Sequence, residues 1–152
     1  MAEGREFMRP RGSMFRFGPR PGSERRQVFN ASGVDIQPGM VVDLDAANTK
    51  DGKVFVKPSA AASLIVFGVA DTVIPGNDNG HGYACVYGET LVATSGAISV
   101  GGSLAGSAGG VASVPTAGLG VRYLGTALSA NASSSVIGTP ETYTRVFVGV
   151  PR

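Results

Sequence analysis

A chain of 152 residues that is 43% hydrophobic and 16% charged, with 23 Gly, 9 Pro and no Trp, makes one ordinary domain able to bury a core without disulfides or a metal; its small apolar and turn-forming residues suit short strands and supply few groups for chemistry. The single cysteine excludes an internal disulfide and leaves the redox compartment open. The net charge of +2 is unevenly spread, because residues 1–27 hold seven arginines against three glutamates while the remainder carries six basic and eight acidic residues.

The first expected element is an extended Arg/Gly/Pro-rich arm over residues 1–31. Gly4, Pro10, Gly12, Gly18, Pro19, Pro21 and Gly22 would break any helix there, and no apolar stretch of the kind a secretory signal needs is present. Few apolar side chains offset the cost of ordering it, so residues 1–27 are expected to be mobile in the free protein and ordered on a partner. The candidate partner-binding residues are Arg5, Phe7, Arg9, Arg11, Phe15, Arg16, Phe17, Arg20, Arg25 and Arg26, guanidinium forks for carboxylates and rings for apolar pockets. The longest apolar run, "LIVFGVA" at 64–70, is far short of the roughly 20 residues that span a bilayer, so the chain reads as soluble with no membrane partner.

Residues 32–152 are expected to form a β domain that repeats itself. "IQPGMVVDL", "GKVFVKP", "FGVAD" and "YACVYG" are followed in the same order by "ISVGGSLAG", "GVASVP", "LGTAL" and "YTRVFVG". Ile36 and Ile98, Gly52 and Gly110, Gly68 and Gly125, and Tyr83 and Tyr143 stand 62, 58, 57 and 60 residues apart. Two units, about 36–88 and 98–149, are too few for a solenoid and are expected to pair about a pseudo-two-fold axis. "IQPG" and "ISVG" read as turns in which Gly39 and Gly101 take positive φ. In "YTRVFVG" alternation sets Tyr143, Arg145 and Phe147 on one face against Thr144, Val146 and Val148. No window carries a capped 3.6-residue apolar period, the nearest being "SAAASLIVFG". The fold class is mainly β: a small barrel, tulip- or clip-like, built from two repeats of about 60 residues.

The chemical candidates are weak. "GNDNGHGYACVYG" at 76–88 holds the only histidine and the only cysteine, but His81 has no second ligand at metal spacing. Asn, Asp and Gly around it suit a hairpin connection, so His81 is expected in a turn and Cys85 as a buried thiol on a strand. "DLDAANTKDG" at 43–52 lacks the ligand positions of a calcium loop, and "GGSLAGSAGG" at 101–110 reads as a flexible turn rather than a phosphate cradle. No G-x-S-x-G elbow presents a serine nucleophile. "NAS" at 30–32 and 131–133 matches a glycosylation acceptor but signifies nothing without a secretory route. No catalytic residue, cofactor or metal ligand is expected, and the chain is read as a non-enzyme.

The pattern "GVDIQPGMVVDLD…DGKVFVKP…FGVAD…YACVYGE…AISVGGSLAG" resembles small tailed-bacteriophage capsid decoration, or cement, proteins over roughly residues 32–150. That resemblance implies a homotrimer on the outside of the virion, seated at three-fold positions of the head lattice, with the major capsid protein as partner. "DIQPGMVV" alone also resembles a segment of β-clip domains, which keeps a carbohydrate-binding or enzymatic domain as an alternative. A third class is a single-stranded nucleic-acid binder using "RPRGSMFRFGPRPGSERR", in which Arg alternates with Phe15 and Phe17. The acidic body offers no second basic face, so nucleic acid is the less favoured partner.

Overall fold

A computed structural model describes residues 21–48, 50, 52–77, 80–116 and 120–149. Its described strands are β1 (Glu24–Asn30), β2 (Val41–Leu44), β3 (Phe55–Pro58), β4 (Val66–Ala70), β5 (Gly80–Val92), β6 (Ser103–Ser107), β7 (Val111–Ser113), β8 (Tyr123–Ala127) and β9 (Thr144–Gly149). The one helical element among the described residues is a short 3₁₀ turn at Pro140–Thr142, so the fold is mainly β as the sequence implies. "SAAASLIVFG" ends in β4 and starts no helix.

The strands are hydrogen-bonded in the order β1-β3-β2-β4-β5-β9-β8-β6-β7, and an additional β1–β5 pairing closes the first five into a barrel. This closure corrects the expected arm boundary. Glu24–Asn30, inside the expected arm, is a strand that pairs antiparallel with β5 from Glu24 opposite Tyr87 to Asn30 opposite Gly80, and parallel with β3. Fully buried Val28 is its inward side chain, so β1 is the stave without which the barrel would stand open.

Hydrogen-bond register makes the internal repeat explicit. Val42 opposite Gly68, with a bulge before Asp43, recurs as Leu104 opposite Gly125 with a bulge before Ala105. The Ile36–Ile74 bridge recurs as Ile98–Asn131. Gly39 and Gly101, at φ 88° and 82°, donate their N–H groups to the carbonyls of Ala70 and Ala127, both at 2.8 Å, so the two expected turns are the same device used twice. One landmark shifts. Ala70 pairs Ala84 and Ala127 pairs Val146, so Tyr83 corresponds to Arg145, and Tyr143 lies just before β9.

The units also begin earlier than the sequence landmarks suggest. Val28 opposite Gly82 corresponds to Val92 opposite Thr144, and the parallel Asn30–Val56 pairing corresponds to the parallel Thr94–Ala112 bridge. β1 therefore opens the first unit as the far half of β5 opens the second. The 13-residue β5 is shared, closing one unit and starting the next.

Alternation divides the core. Val28, Ile36, Val42, Val56, Ala70, Ile74 and Ala84 fill the first barrel. Their strand neighbours Val41, Val66, Val69 and Cys85 point outward and pack with Val92, Ile98, Leu104, Ala112, Leu124, Ala127, Val146 and Val148 of the second unit. The outer wall of unit one is thus covered by unit two. "GGSLAGSAGG" is not the expected flexible turn, because Ser103–Ser107 within it is β6. Its small residues are needed for close approach: a Cβ on Gly106 would strike Ser59 Oγ and Val66, and Gly110 donates to Ser59 O at 3.2 Å while accepting from Val41 N–H at 2.8 Å.

Candidate interaction surface

The ten expected partner-binding residues divide at the edge of the described chain. Arg5, Phe7, Arg9, Arg11, Phe15, Arg16, Phe17 and Arg20 lie outside the described residues. Arg25 and Arg26 lie in β1, and adjacency on a strand sends them opposite ways. Arg25 Nε donates to Asp71 Oδ2, with side-chain exposures of 18% and 1%, and its guanidinium sits 5.2 Å from the centre of the Tyr83 ring. Thr90 Oγ1 donates to the other Asp71 oxygen at 3.4 Å. Arg25 therefore holds β1 against β4 and β5 and is engaged within the chain. Arg26 reaches solvent and pairs with Glu24 on its own strand, at 3.0 Å.

His81 is in β5 rather than a turn, paired with Phe29 and with its ring 6.0 Å from that of Phe29. The glycines beside it serve packing: a Cβ on Gly82 would run into Thr72 Oγ1 and Ile74, and one on Gly80 into the carbonyl of Pro75. Asp78 lies outside the described residues. Cys85 is buried on β5 as expected, its Sγ donating to Tyr87 O at 3.4 Å. The carboxylates of 43–52 diverge: Asp43 Oδ2 accepts the Ala60 N–H at 3.1 Å, while Asp45 accepts from the Asn48 side chain. Among the described residues no group of three or more His, Cys, Asp or Glu is placed to hold a metal ion.

The two "NAS" tripeptides are not equivalent. Asn30 is fully buried, donating to Val34 O at 2.8 Å and Ile74 O at 3.0 Å and accepting from Ser32, so its amide is a corner post of the first barrel. Asn131 occupies the position of Ile74 in the second unit. It joins a polar cluster in which Thr94 Oγ1 meets Thr144 Oγ1 at 3.0 Å and Ser135 Oγ at 3.2 Å, and Asn131 and Ser135 both donate to Thr142 O. Each hydroxyl and amide there has a partner, as buried polar groups require.

The surface the sequence did not disclose is the outer wall of the second unit. By register, Val41, Val66, Val69 and Cys85 of unit one correspond to Ser103, Tyr123, Thr126 and Phe147 of unit two. The first set is buried; in the second, Tyr123 is 50% and Phe147 39% exposed. Tyr87, 47% exposed, meets Phe147 edge to face at 5.1 Å between centroids. Arg145 and Glu89 form an ion pair on its border at 2.8 Å.

The architecture has a known counterpart. The chain superposes on the N base of head fiber gp8.5 of bacteriophage phi29 with a TM-score of 0.58 and 13% sequence identity, over 84% of this chain and 94% of that one. Likeness at that identity is a likeness of fold. No protein-family model and no curated protein sequence matches the chain. The counterpart nonetheless spans both units, so the tandem arrangement, and not one barrel alone, is what the two proteins share.

Proposed function

We propose that this chain is a structural protein of a tailed-phage virion, a homotrimer that binds the outer surface of the assembled head and stabilises contacts between major capsid subunits. The observation that carries the reading is the shared fold with a head-fiber base over nearly the whole described chain. The resemblance of the repeat motifs to cement proteins supports it, and so does a basic segment with five arginines within residues 1–20, suited to carboxylates on a capsid exterior. The reading includes no catalytic step and no cofactor.

The test is co-sedimentation of the full chain with purified heads from its native source, across a salt titration, beside the same titration on single-stranded DNA. Capsid binding that partly resists salt, together with heads that withstand higher temperature, is the expected result. Tight DNA binding lost steeply with salt, with no attachment to heads, would establish the nucleic-acid reading instead. Residues 2–20 should carry much of the attachment, so a chain lacking them should decorate weakly while keeping the described fold.

A further inference from the structure

The outer wall of unit two contains an open slot. Tyr87 of β5 and Gly149 of β9 stand opposite each other, and Phe147, two residues back along β9, shares their face. The partly exposed rings of Tyr87 and Phe147 meet edge to face, and beside them the wall has no side chain, because a Cβ on Gly149 would meet no described atom. The apolar surface continues across β8 to Tyr123. There the Arg122 N–H donates to Ser63 O at 3.3 Å and brings Leu64 and Ile65, 62% and 41% exposed, alongside Tyr123. An exposed apolar stretch of this kind, with a slot in it, marks a surface that something covers.

The chain itself holds the nearest cover. Residues 1–20, outside the described structure, join it at a turn over Pro21–Gly22, and Ser23 then lies against Gly88, where an added Cβ would strike it. Gly88 follows Tyr87 on β5 and pairs with Val148 beside Gly149, so the segment leaves the fold at the rim of the slot. Phe17 and Phe15 stand six and eight residues before Ser23. A flexible tether of that length spans about 12–17 Å, more than the step of about 5 Å from one strand to the next. It holds the rings near the wall at an effective concentration of about 1 mM, above that of any second copy at micromolar concentration. Phe15 and Phe17 share one side of an extended chain, and the contact of Arg25 with the Tyr83 ring, at 5.2 Å, is one that Arg20 would repeat on Tyr87.

We propose that residues 15–20 dock on the outer wall of unit two of their own chain, with Phe17 in the slot over Gly149 and Phe15 against Tyr123. Ordering the tether costs about what burial of two rings returns, so the segment exchanges between docked and free forms and stays available to a larger partner. The inference concerns the protein free in solution and does not depend on attachment to a head.

The chain has no tryptophan, so Phe17→Trp places a single indole in the segment. Acrylamide quenching of its emission should be about threefold weaker in the full chain than in a peptide of residues 1–20 with the same substitution, the result of a segment docked about two-thirds of the time. Two changes to the wall should each restore the peptide's value. Tyr123→Ser/Phe147→Ser removes rings, and Gly149→Ile fills the slot with a side chain whose Cβ meets no described atom, so the fold stays in place. Far-ultraviolet circular dichroism unchanged in Gly149→Ile separates loss of docking from loss of folding. The protection should be the same from about 1 to about 100 μM, a range below the effective concentration of the tether. An indole as accessible in the full chain as in the peptide would overturn the proposal. Protection that survives both wall changes would place the segment elsewhere and overturn it too, as would protection that rises with concentration, which assigns the wall to a second copy.

Discussion

Arg25 and Arg26 are adjacent and chemically identical, yet the fold assigns them unlike roles, which makes them a sensitive test of where the body begins. Arg25→Ala removes a charged partner of Asp71, whose side chain is 1% exposed and which also accepts from Thr90 Oγ1 at 3.4 Å. Breaking a buried ion pair from one side costs about 3–5 kcal/mol, and the 18% exposure of the arginine places this case near about 3 kcal/mol. With a urea slope of about 2 kcal/mol/M, the denaturation midpoint should fall by about 1.5 M. Arg26→Ala loses only a pair whose members are 53% and 42% exposed, so about 0.5 kcal/mol or less and a midpoint shift of at most about 0.3 M are expected. Adding Asp71→Asn to Arg25→Ala removes the buried charge and should recover part of the loss. Urea denaturation followed by tyrosine fluorescence and far-ultraviolet circular dichroism reads all four proteins. Equal midpoints for the two arginine variants would refute the placement of Arg25 inside the fold, and a double variant no better than Arg25→Ala would refute the buried-charge argument.

Deleting residues 2–20 should leave the denaturation midpoint within about 0.5 kcal/mol of the full chain, whereas deletion through Ala31 removes β1 and should give a chain without a cooperative transition. Gly68→Ala and Gly125→Ala should each cost about 3 kcal/mol, because the new Cβ strikes the carbonyl of Cys85 in one unit and of Phe147 in the other; a tolerated Gly125→Ala with an intolerant Gly68→Ala would break the equivalence of the two units. Cys85→Ser should cost about 1–3 kcal/mol and leave head binding intact, and an aromatic disulfide reagent should react with Cys85 only as the chain unfolds. His81→Ala removes a ring contact with Phe29 and should leave the chain folded, and a loss of partner binding by the folded variant would reopen a role for the histidine.

Strands whose two faces differ in polarity are legible in the order of their residues. "YTRVFVG" sorts its side chains as alternation requires, with Thr144, Val146 and Val148 buried and Arg145 and Phe147 outward, and Tyr143, ahead of the strand, tucks in to accept Gly138 N–H through its hydroxyl. The turns at Gly39 and Gly101 are legible as well, since a positive φ narrows the choice of residue. β1 is not, because "ERRQVFN" offers one inward aliphatic side chain and both of its pairing partners, β3 and β5, are distant in sequence. β6 is hidden by its own packing, as contact with unit one demands glycine and alanine, which in sequence resemble a linker. His81 is misplaced likewise, by glycines that serve barrel packing but read as turn formers. The exposed aromatic wall emerges only from the register, which shows which residues of one unit stand in for which of the other.

Glu24 and Gly149, where the described chain enters and leaves the sheet, both pair with Tyr87, β1 and β9 being separate neighbours of β5. Entry and exit thus converge on one spot at the margin of the aromatic wall. A short peptide could join them, so a circular permutant reopened at the exposed Ser95–Ala97 loop should keep every described strand pairing. It also fixes the point of departure of the basic segment. Whatever residues 1–20 grip, they are tethered within a few residues of Tyr87, so the basic segment acts from the margin of the aromatic wall.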